Sequence, residues 1–138
     1  MLLLPLITWT DSFSVKVAEI DKQHKKLVEM INTLYDAMKI GKSKDVMGET
    51  LNNLILYTET HFRTEEKYFD LYNYPEKETH KAEHKEFIET VTKFKNDFDS
   101  GNVTISIEVM NFLRNWLTNH IKGSDKKYTK YFNDHGLR

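Results

Sequence analysis

The chain has 138 residues, the length of one domain with one substantial core, and its 20 Lys and Arg nearly balance 21 Asp and Glu. The interspersed charges exclude a basic nucleic-acid-binding stripe and an acidic tail, and no run of about 20 apolar residues could span a bilayer. The absence of cysteine excludes disulfides, thiolate metal sites and cysteine nucleophiles, and it fits a cytoplasmic protein.

The few helix-breaking residues fall between stretches of helical periodicity. Only 2 Pro and 5 Gly occur, which favours long helices over many strands. We predict one domain, residues 1–138, with an N-terminal arm over 1–17, a helical bundle over 18–132 and a tail over 133–138. The arm starts with an apolar lead, residues 2–6, which we expect to pack across the bundle or against a partner.

The first two predicted helices carry long inward stripes that advance in steps of three and four residues. The first helix runs from about residue 18 to 40, with the stripe Val17, Ile20, His24, Leu27, Ile31, Leu34 and Met38. The second covers roughly residues 44 to 72, with the stripe Met47, Leu51, Leu54, Thr58, His61, Glu65 and Tyr68.

The last two predicted helices complete a bundle. The third opens after Pro75 and ends near residue 100, with the stripe His80, His84, Phe87, Val91, Phe94 and Phe98. The fourth starts near Ser106 and carries Val109, Leu113, Trp116, Leu117 and His120. Four such helices with short loops predict an all-α, up-down-up-down antiparallel four-helix bundle.

Every predicted helix places histidine on its inward stripe. His24 and His80 lie near the starts of the first and third helices, whereas His61 and His120 lie late in the second and fourth. In an up-down bundle these positions belong to the same end. At about 1.5 Å rise per residue, His24 lies roughly 9 Å inside its helix and His80 at a similar depth. This convergence predicts a metal centre.

Carboxylates accompany the histidines. Two pairs of potential ligands are spaced four residues apart, which puts both side chains on one helix face. These pairs are His61 with Glu65 and His80 with His84. Asp125 lies five residues after His120 and would point away from it on an ideal helix. Gly123 between them would allow a break or bulge that turns Asp125 inward.

The ligand types suit a pair of transition-metal ions. Nitrogen and oxygen donors fit Fe, Zn, Cu or Mn, and five histidines with two carboxylates are too many for one ion. Two six-coordinate irons sharing both carboxylates and an oxo or hydroxo group would keep one position open, which suits a small diatomic ligand. A structural zinc bundle is the simpler alternative, but seven ligands exceed what two closed tetrahedral sites need.

The complete pattern resembles the hemerythrin family, specifically its single-domain bacterial members. The motifs that carry the resemblance are His24, His61-x-x-x-Glu65, His80-x-x-x-His84 and His120-x-x-x-x-Asp125. The likeness also includes Trp9, residues 20–25, residues 61–66 and Ile121, and so spans nearly the whole chain. The family fold, a four-helix bundle preceded by an N-terminal arm, agrees with the prediction above.

The resemblance also implies a cofactor and a role for each ligand. It implies two non-haem iron ions bridged by Glu65, Asp125 and an oxo or hydroxo group. One iron would be completed by His80, His84 and His120. The other would be held by His24 and His61 and would keep the open position, where dioxygen binds reversibly.

Reversible binding requires a dry pocket, because water or protons would let reduced oxygen leave and strand a ferric pair. Leu27, one turn after His24, and Leu117, one turn before His120, are predicted to face the open position. Candidates for the surrounding wall, with simple core packing as the alternative interpretation, are Phe62, Trp116, Ile121 and Trp9.

Several polar residues near the motifs have weaker assignments. Glu66 is predicted to be a neighbour of the site or a surface group, and His135 to be solvated. Asp21 and Gln23 match the family pattern without a role beyond charge early in the first helix. Three tyrosines could donate hydrogen bonds to the ligand carboxylates, namely Tyr57, Tyr68 and Tyr72. Packing is the commoner role of tyrosines at such spacing.

Three functions fit these predictions. A non-enzymatic dioxygen carrier, store or delivery protein comes first, and nitric oxide could occupy the same position. A sensor domain for oxygen, nitric oxide or redox state comes second, and the lack of an output domain in this chain counts against it. A di-iron oxidase or peroxidase comes third, since such bundles use carboxylate-rich sites with Glu-x-x-His motifs.

Overall fold

The computed structural model of the chain describes residues 5–101 and 107–138, and within these ranges all regular secondary structure is helical. After a 3-10 turn at Asp11–Phe13, the long helices are α1 (Ala18–Lys39), α2 (Lys44–Leu71), α3 (Lys77–Asp99) and α4 (Ile107–Asn119). A π-helical segment, His120–Asp125, continues α4, and a short helix, α5 (Thr129–Asp134), follows it.

These helices form the predicted bundle. Helix α1 packs against α2 and α4, and α2 packs against α3. Ring contacts join α3 to α4, with centroid distances of 4.2 Å for Phe87–Trp116 and 5.5 Å for Phe94–Phe112. The all-α four-helix architecture is therefore confirmed. The predicted start of the fourth helix at Ser106 lies outside the described residues, as do residues 2–4 of the apolar lead.

The turn between α1 and α2 follows from its residues. Gly41 has φ +70°, a left-handed conformation that glycine adopts without strain. The Lys42 N–H then donates to the Ala37 carbonyl at 3.0 Å, which closes α1. The Ser43 hydroxyl accepts from the Val46 N–H at 3.3 Å and caps α2. This short connection makes α1 and α2 antiparallel neighbours.

The inward stripes are mostly buried, although Met38, Phe94 and Trp116 are only partly buried, and α2 shows one shift. Tyr68, which the predicted stripe included, is only partly buried, and its hydroxyl donates to the Glu19 carboxylate at 2.6 Å. Phe69 is fully buried in its place. Steps of three or four from Glu65 both satisfy helical periodicity. Phe69 occupies the inward position because it packs against Tyr128, 5.8 Å away between ring centroids.

The N-terminal arm is fastened to α1 by two polar side chains. The Asn32 amide donates to the Ile7 carbonyl at 2.8 Å and accepts from the Ile7 N–H at 2.9 Å. The Asp21 carboxylate accepts from the Ser14 hydroxyl at 2.6 Å and from the Val15 N–H at 2.8 Å. Asp21, which the sequence left without a role, therefore anchors the arm.

The helices do not resemble membrane spans. Among the residues that the structure describes, no helix combines the length and the apolar character needed to cross a bilayer.

Candidate metal centre

The seven predicted ligands converge at one end of the bundle. Each of the four helices of the bundle contributes at least one, if the π-helical segment is counted with α4. His24 comes from α1, His61 and Glu65 from α2, His80 and His84 from α3, and His120 and Asp125 from the π-helical segment. All seven side chains are buried, the most exposed being His120 at 6%. Burying so many polar groups is costly unless they pair or hold metal.

The ligand atoms form two overlapping groups, each within 4.8 Å. One contains Glu65, His80, His84, His120 and Asp125, and the other contains His24, His61, Glu65 and Asp125. The two carboxylates are therefore shared, whereas each histidine belongs to one group. This is the arrangement expected of two ions joined by carboxylate bridges.

Asp125 contacts histidines of both groups. Its Oδ2 lies 3.1 Å from Nε2 of His24. Its Oδ1 lies 2.9 Å from Nε2 of His80 and 3.0 Å from Nε2 of His120. The two oxygens thus face different histidine groups, as a bridging carboxylate would.

Glu65 also connects the groups. Its Oε1 lies 3.1 Å from Nε2 of His61 and 3.2 Å from Nε2 of His84. Its Oε2 accepts a 2.5 Å hydrogen bond from the hydroxyl of Tyr128. All five histidines therefore turn Nε2 toward the two carboxylates.

The π-helical segment explains how Asp125 reaches the site. A π-helix places residues five apart on one face, so His120 and Asp125 both point inward. The predicted bulge is confirmed, and Asp125 is fully buried. A Cβ added at Gly123 would meet no atom of the described residues within 4 Å, and Gly123 does not have positive φ, so neither space nor backbone strain demands glycine there.

The outer nitrogens of three ligands face polar side chains, two through hydrogen bonds and one through an ion-pair contact. Nδ1 of His84 lies 2.8 Å from Oε2 of Glu66, which confirms Glu66 as a neighbour of the site. Nδ1 of His120 lies 3.0 Å from Oε2 of Glu83. Such contacts fix the ring orientation and direct Nε2 inward.

The third such contact comes from Gln23, whose Oε1 lies 2.7 Å from Nδ1 of His61. Gln23 matched the family pattern, but its role was not visible in the sequence. Glu83 and Tyr128 were missed altogether. Their partners lie on other segments, so only the packed fold reveals them. Tyr128 fills the donor role considered for Tyr57, Tyr68 and Tyr72.

The buried charges shift one another's pKa values. Burial raises the pKa of the Asp125 carboxyl, but the adjacent His120, His24 and His80 outweigh this and hold it well below its usual range. Burial lowers the pKa of His120, yet the adjacent carboxylates of Asp125 and Glu83 outweigh this and raise it to about 10. Without a bound cation, the cluster therefore retains protons on histidine.

The pKa values of two other site histidines are shifted in opposite directions. For His61, burial is the largest influence and lowers the pKa in spite of the nearby Glu65 carboxylate. For His84, burial also lowers the pKa, but hydrogen bonds to Glu65 and Glu66 outweigh it, and the net direction is upward.

The buried polar atoms fit a metal pair. Within the described residues, Nε2 of His24, Oε1 of Glu65 and both carboxylate oxygens of Asp125 are buried and make ion-pair contacts but no recorded hydrogen bond. Nε2 of His120 lies 3.0 Å from Nε2 of His80 and 3.2 Å from Nε2 of His84. Nitrogen and oxygen donors crowded together at these distances fit cations bound among them, and this donor set suits Fe, Zn, Cu or Mn.

The predicted wall residues divide by position. Phe62 stacks on the His84 ring at 3.7 Å and 6°, and Trp116 stacks on the His120 ring at 4.4 Å and 13°. Both thus pack against the three-histidine group. Buried in the core are Leu27, Leu117 and Ile121.

Two residues lie further out. Trp9 is partly buried in the arm, stacks on Phe13 at 5.3 Å and lies under the Lys25 ammonium at 5.4 Å. His135 is exposed and its Nδ1 contacts the Tyr131 carbonyl at 2.7 Å, as expected for a solvated side chain.

Comparisons with known proteins identify the family. The family model for the hemerythrin HHE cation binding domain matches residues 15–132. The bacteriohemerythrin of Stenotrophomonas maltophilia is 33% identical over 132 residues, covering 96% of this chain and 85% of that protein. The bacteriohemerythrin of Methylococcus capsulatus is 33% identical, covering 91% and 95%. A crystal structure of wild-type hemerythrin superimposes with a TM-score of 0.87 at 33% identity, covering 91% and 96%. The chain belongs to the hemerythrin family.

Proposed function

We propose that this protein binds dioxygen reversibly at a non-haem di-iron centre and serves in oxygen carriage, storage or delivery. One iron would be held by His80, His84 and His120, the other by His24 and His61, with Glu65, Asp125 and an oxo or hydroxo group as bridges. The observation that carries this proposal is the division of the ligands into two groups that share both carboxylates.

The donor set supports iron over a purely structural metal. Five histidines and two carboxylates offer more ligands than two closed tetrahedral zinc sites require. A bound ferrous pair would supply two electrons to dioxygen and would recover them on its release.

The residues around the site support binding rather than turnover. Leu27, Leu117 and Ile121 are at most 3% exposed, which suits the exclusion of water from the pocket. Histidine outnumbers carboxylate five to two, in contrast to the carboxylate-rich sites of di-iron oxidases. We therefore infer a non-enzymatic role.

Other uses of the same pocket are tested by the same experiment. Nitric oxide could bind at the open position, and an oxygen or redox sensor would use the same ligands. A cytoplasmic location is also proposed, since the chain contains no cysteine.

The test is an anaerobic-to-aerobic absorption titration of the reduced protein, with iron quantified on the same sample. We expect two irons per chain and a visible charge-transfer band that appears with oxygen and disappears on its removal. An irreversible ferric spectrum would favour the sensor or oxidase alternatives. Zinc without iron would contradict the proposal. His61→Ala should lose iron, and its retention of both irons would overturn the ligand assignment.

A further inference from the structure

The polar contacts behind the histidine ligands are not equivalent in the two groups. In the three-histidine group, His84 and His120 each face a carboxylate, at 2.8 Å from Glu66 and 3.0 Å from Glu83. In the two-histidine group, His61 faces the amide oxygen of Gln23 at 2.7 Å. Nδ1 of His24 is buried and has no hydrogen-bond partner within residues 5–101 and 107–138.

This difference changes how strongly each imidazole donates electrons. A carboxylate that accepts the Nδ1 proton carries a full negative charge, draws that proton toward itself and makes Nε2 a stronger ligand. An amide oxygen is neutral and does so less. Ligand basicity in turn stabilises the higher oxidation state of an iron, because the trivalent ion gains more from an electron-rich ligand than the divalent ion does.

Gln23 is held in the orientation that this argument needs. Its Nε2 donates to the Thr64 hydroxyl oxygen at 3.2 Å, and that hydroxyl donates to the Thr60 carbonyl at 3.2 Å. The amide nitrogen is thereby directed away from His61 and the amide oxygen toward it. His61 consequently donates its Nδ1 proton and keeps the Nε2 lone pair for a metal.

We propose that Gln23 is a positioning residue that keeps the His24–His61 metal position electron-poor relative to the His80–His84–His120 position. The two positions then differ in reduction potential and in metal affinity. The ion beside the open coordination position is the harder one to oxidise. This inference rests on the proposed di-iron site and deepens it, since it assigns to Gln23 the resistance of that ion to permanent oxidation.

The first variant is Gln23→Glu, which changes an amide to a carboxylate of nearly the same shape. The Thr64 hydroxyl can rotate away from the Thr60 carbonyl to donate to the new oxygen, so that oxygen keeps a hydrogen-bond partner. Outer-shell partners change metal affinity by about 10–100-fold. A tenfold preference for ferric over ferrous iron lowers a one-electron potential by ~59 mV. We expect a fall of at least this size and faster autoxidation.

The matched controls are Glu83→Gln and Glu66→Gln, which make the opposite change behind His120 and His84. Both should raise the potential of the iron pair, measured by anaerobic spectroelectrochemistry with iron content determined for each sample. If these residues acted only through packing, the potentials of all three variants would shift in the same direction, or the variants would only lose metal. An unchanged or raised potential in Gln23→Glu overturns the proposal.

A second measurement separates this inference from the proposed function. Cobalt(II) is titrated into metal-depleted protein without oxygen, and its visible absorption is followed. We expect a tight first step at the three-histidine position and a weaker second step. Gln23→Glu should tighten only the second step, about tenfold. A second step equal to that of the unmodified chain contradicts the role of Gln23, whether or not the iron form binds oxygen reversibly.

Discussion

The hydrogen bond from Tyr128 to Glu65 provides a direct test of how much the fold supports the buried site. The Tyr128 side chain is fully buried, and its hydroxyl donates to Oε2 of Glu65 at 2.5 Å. Tyr128→Phe removes one oxygen atom and leaves the ring in place, so packing changes little. What is lost is the only hydrogen-bond donor to that carboxylate oxygen among the described residues.

The expected cost follows from burial and charge. A hydrogen bond to a charged group contributes about 1.5–3 kcal/mol, and a buried acceptor left unsatisfied adds to the loss. We take about 2 kcal/mol for Tyr128→Phe. With an unfolding entropy of about 2 cal/mol/K per residue over the whole chain, this corresponds to a fall in melting temperature of roughly 7 °C.

Tyr68→Phe is the matched control. Tyr68 also donates to a carboxylate, that of Glu19, at 2.6 Å, but this pair is exposed. Exposed pairs of this kind contribute less than about 1 kcal/mol. Melting of both variants is followed by circular dichroism, with metal content measured on each sample. If Tyr128→Phe destabilises the protein no more than Tyr68→Phe does, burial does not set the strength of the Glu65 contact.

Three further changes have distinct expected outcomes. Leu117→Ala should accelerate autoxidation without loss of iron, because the truncated side chain admits water. The rate is measured from the growth of the ferric absorbance, and an unchanged rate would mean that Leu117 does not line the pocket. Gly123→Ala should keep full metal content and raise the free energy of unfolding, measured in urea, by about 0.5–1 kcal/mol. Residue 123 is helical, and a Cβ added there meets no atom of the described residues within 4 Å. In metal-depleted protein, the raised pKa of His120 stabilises the fold below about pH 6.5, and this contribution is lost as pH rises toward about 10. Urea midpoints that stay constant across that range would contradict the raised pKa of His120.

The sequence was sufficient to predict the bundle and the convergence of the ligand positions. Both depend on periodicity and on chain direction, which a single sequence contains. His24 and His61 lie on different helices, yet antiparallel topology alone brings their positions to one end. The stripe of α2 shows where this reasoning weakens, because Tyr68 and Phe69 fit the period almost equally well. The choice between them depends on contacts with Tyr128, more than fifty residues away in the chain.

The polar contacts behind the ligands could not be predicted for the same reason. Gln23 precedes His24 in sequence but serves His61 on another helix, and Glu83 lies beside His84 but serves His120. Gln23 points about 100° round the helix from His24, and Glu83 does the same relative to His84. Each therefore meets a histidine of an adjacent helix. The rotation of each helix about its axis decides the partner, and packing of all the side chains sets that rotation. The electronic difference between the Gln23 amide behind one metal position and the Glu66 and Glu83 carboxylates behind the other can therefore be recognised only from the packed structure.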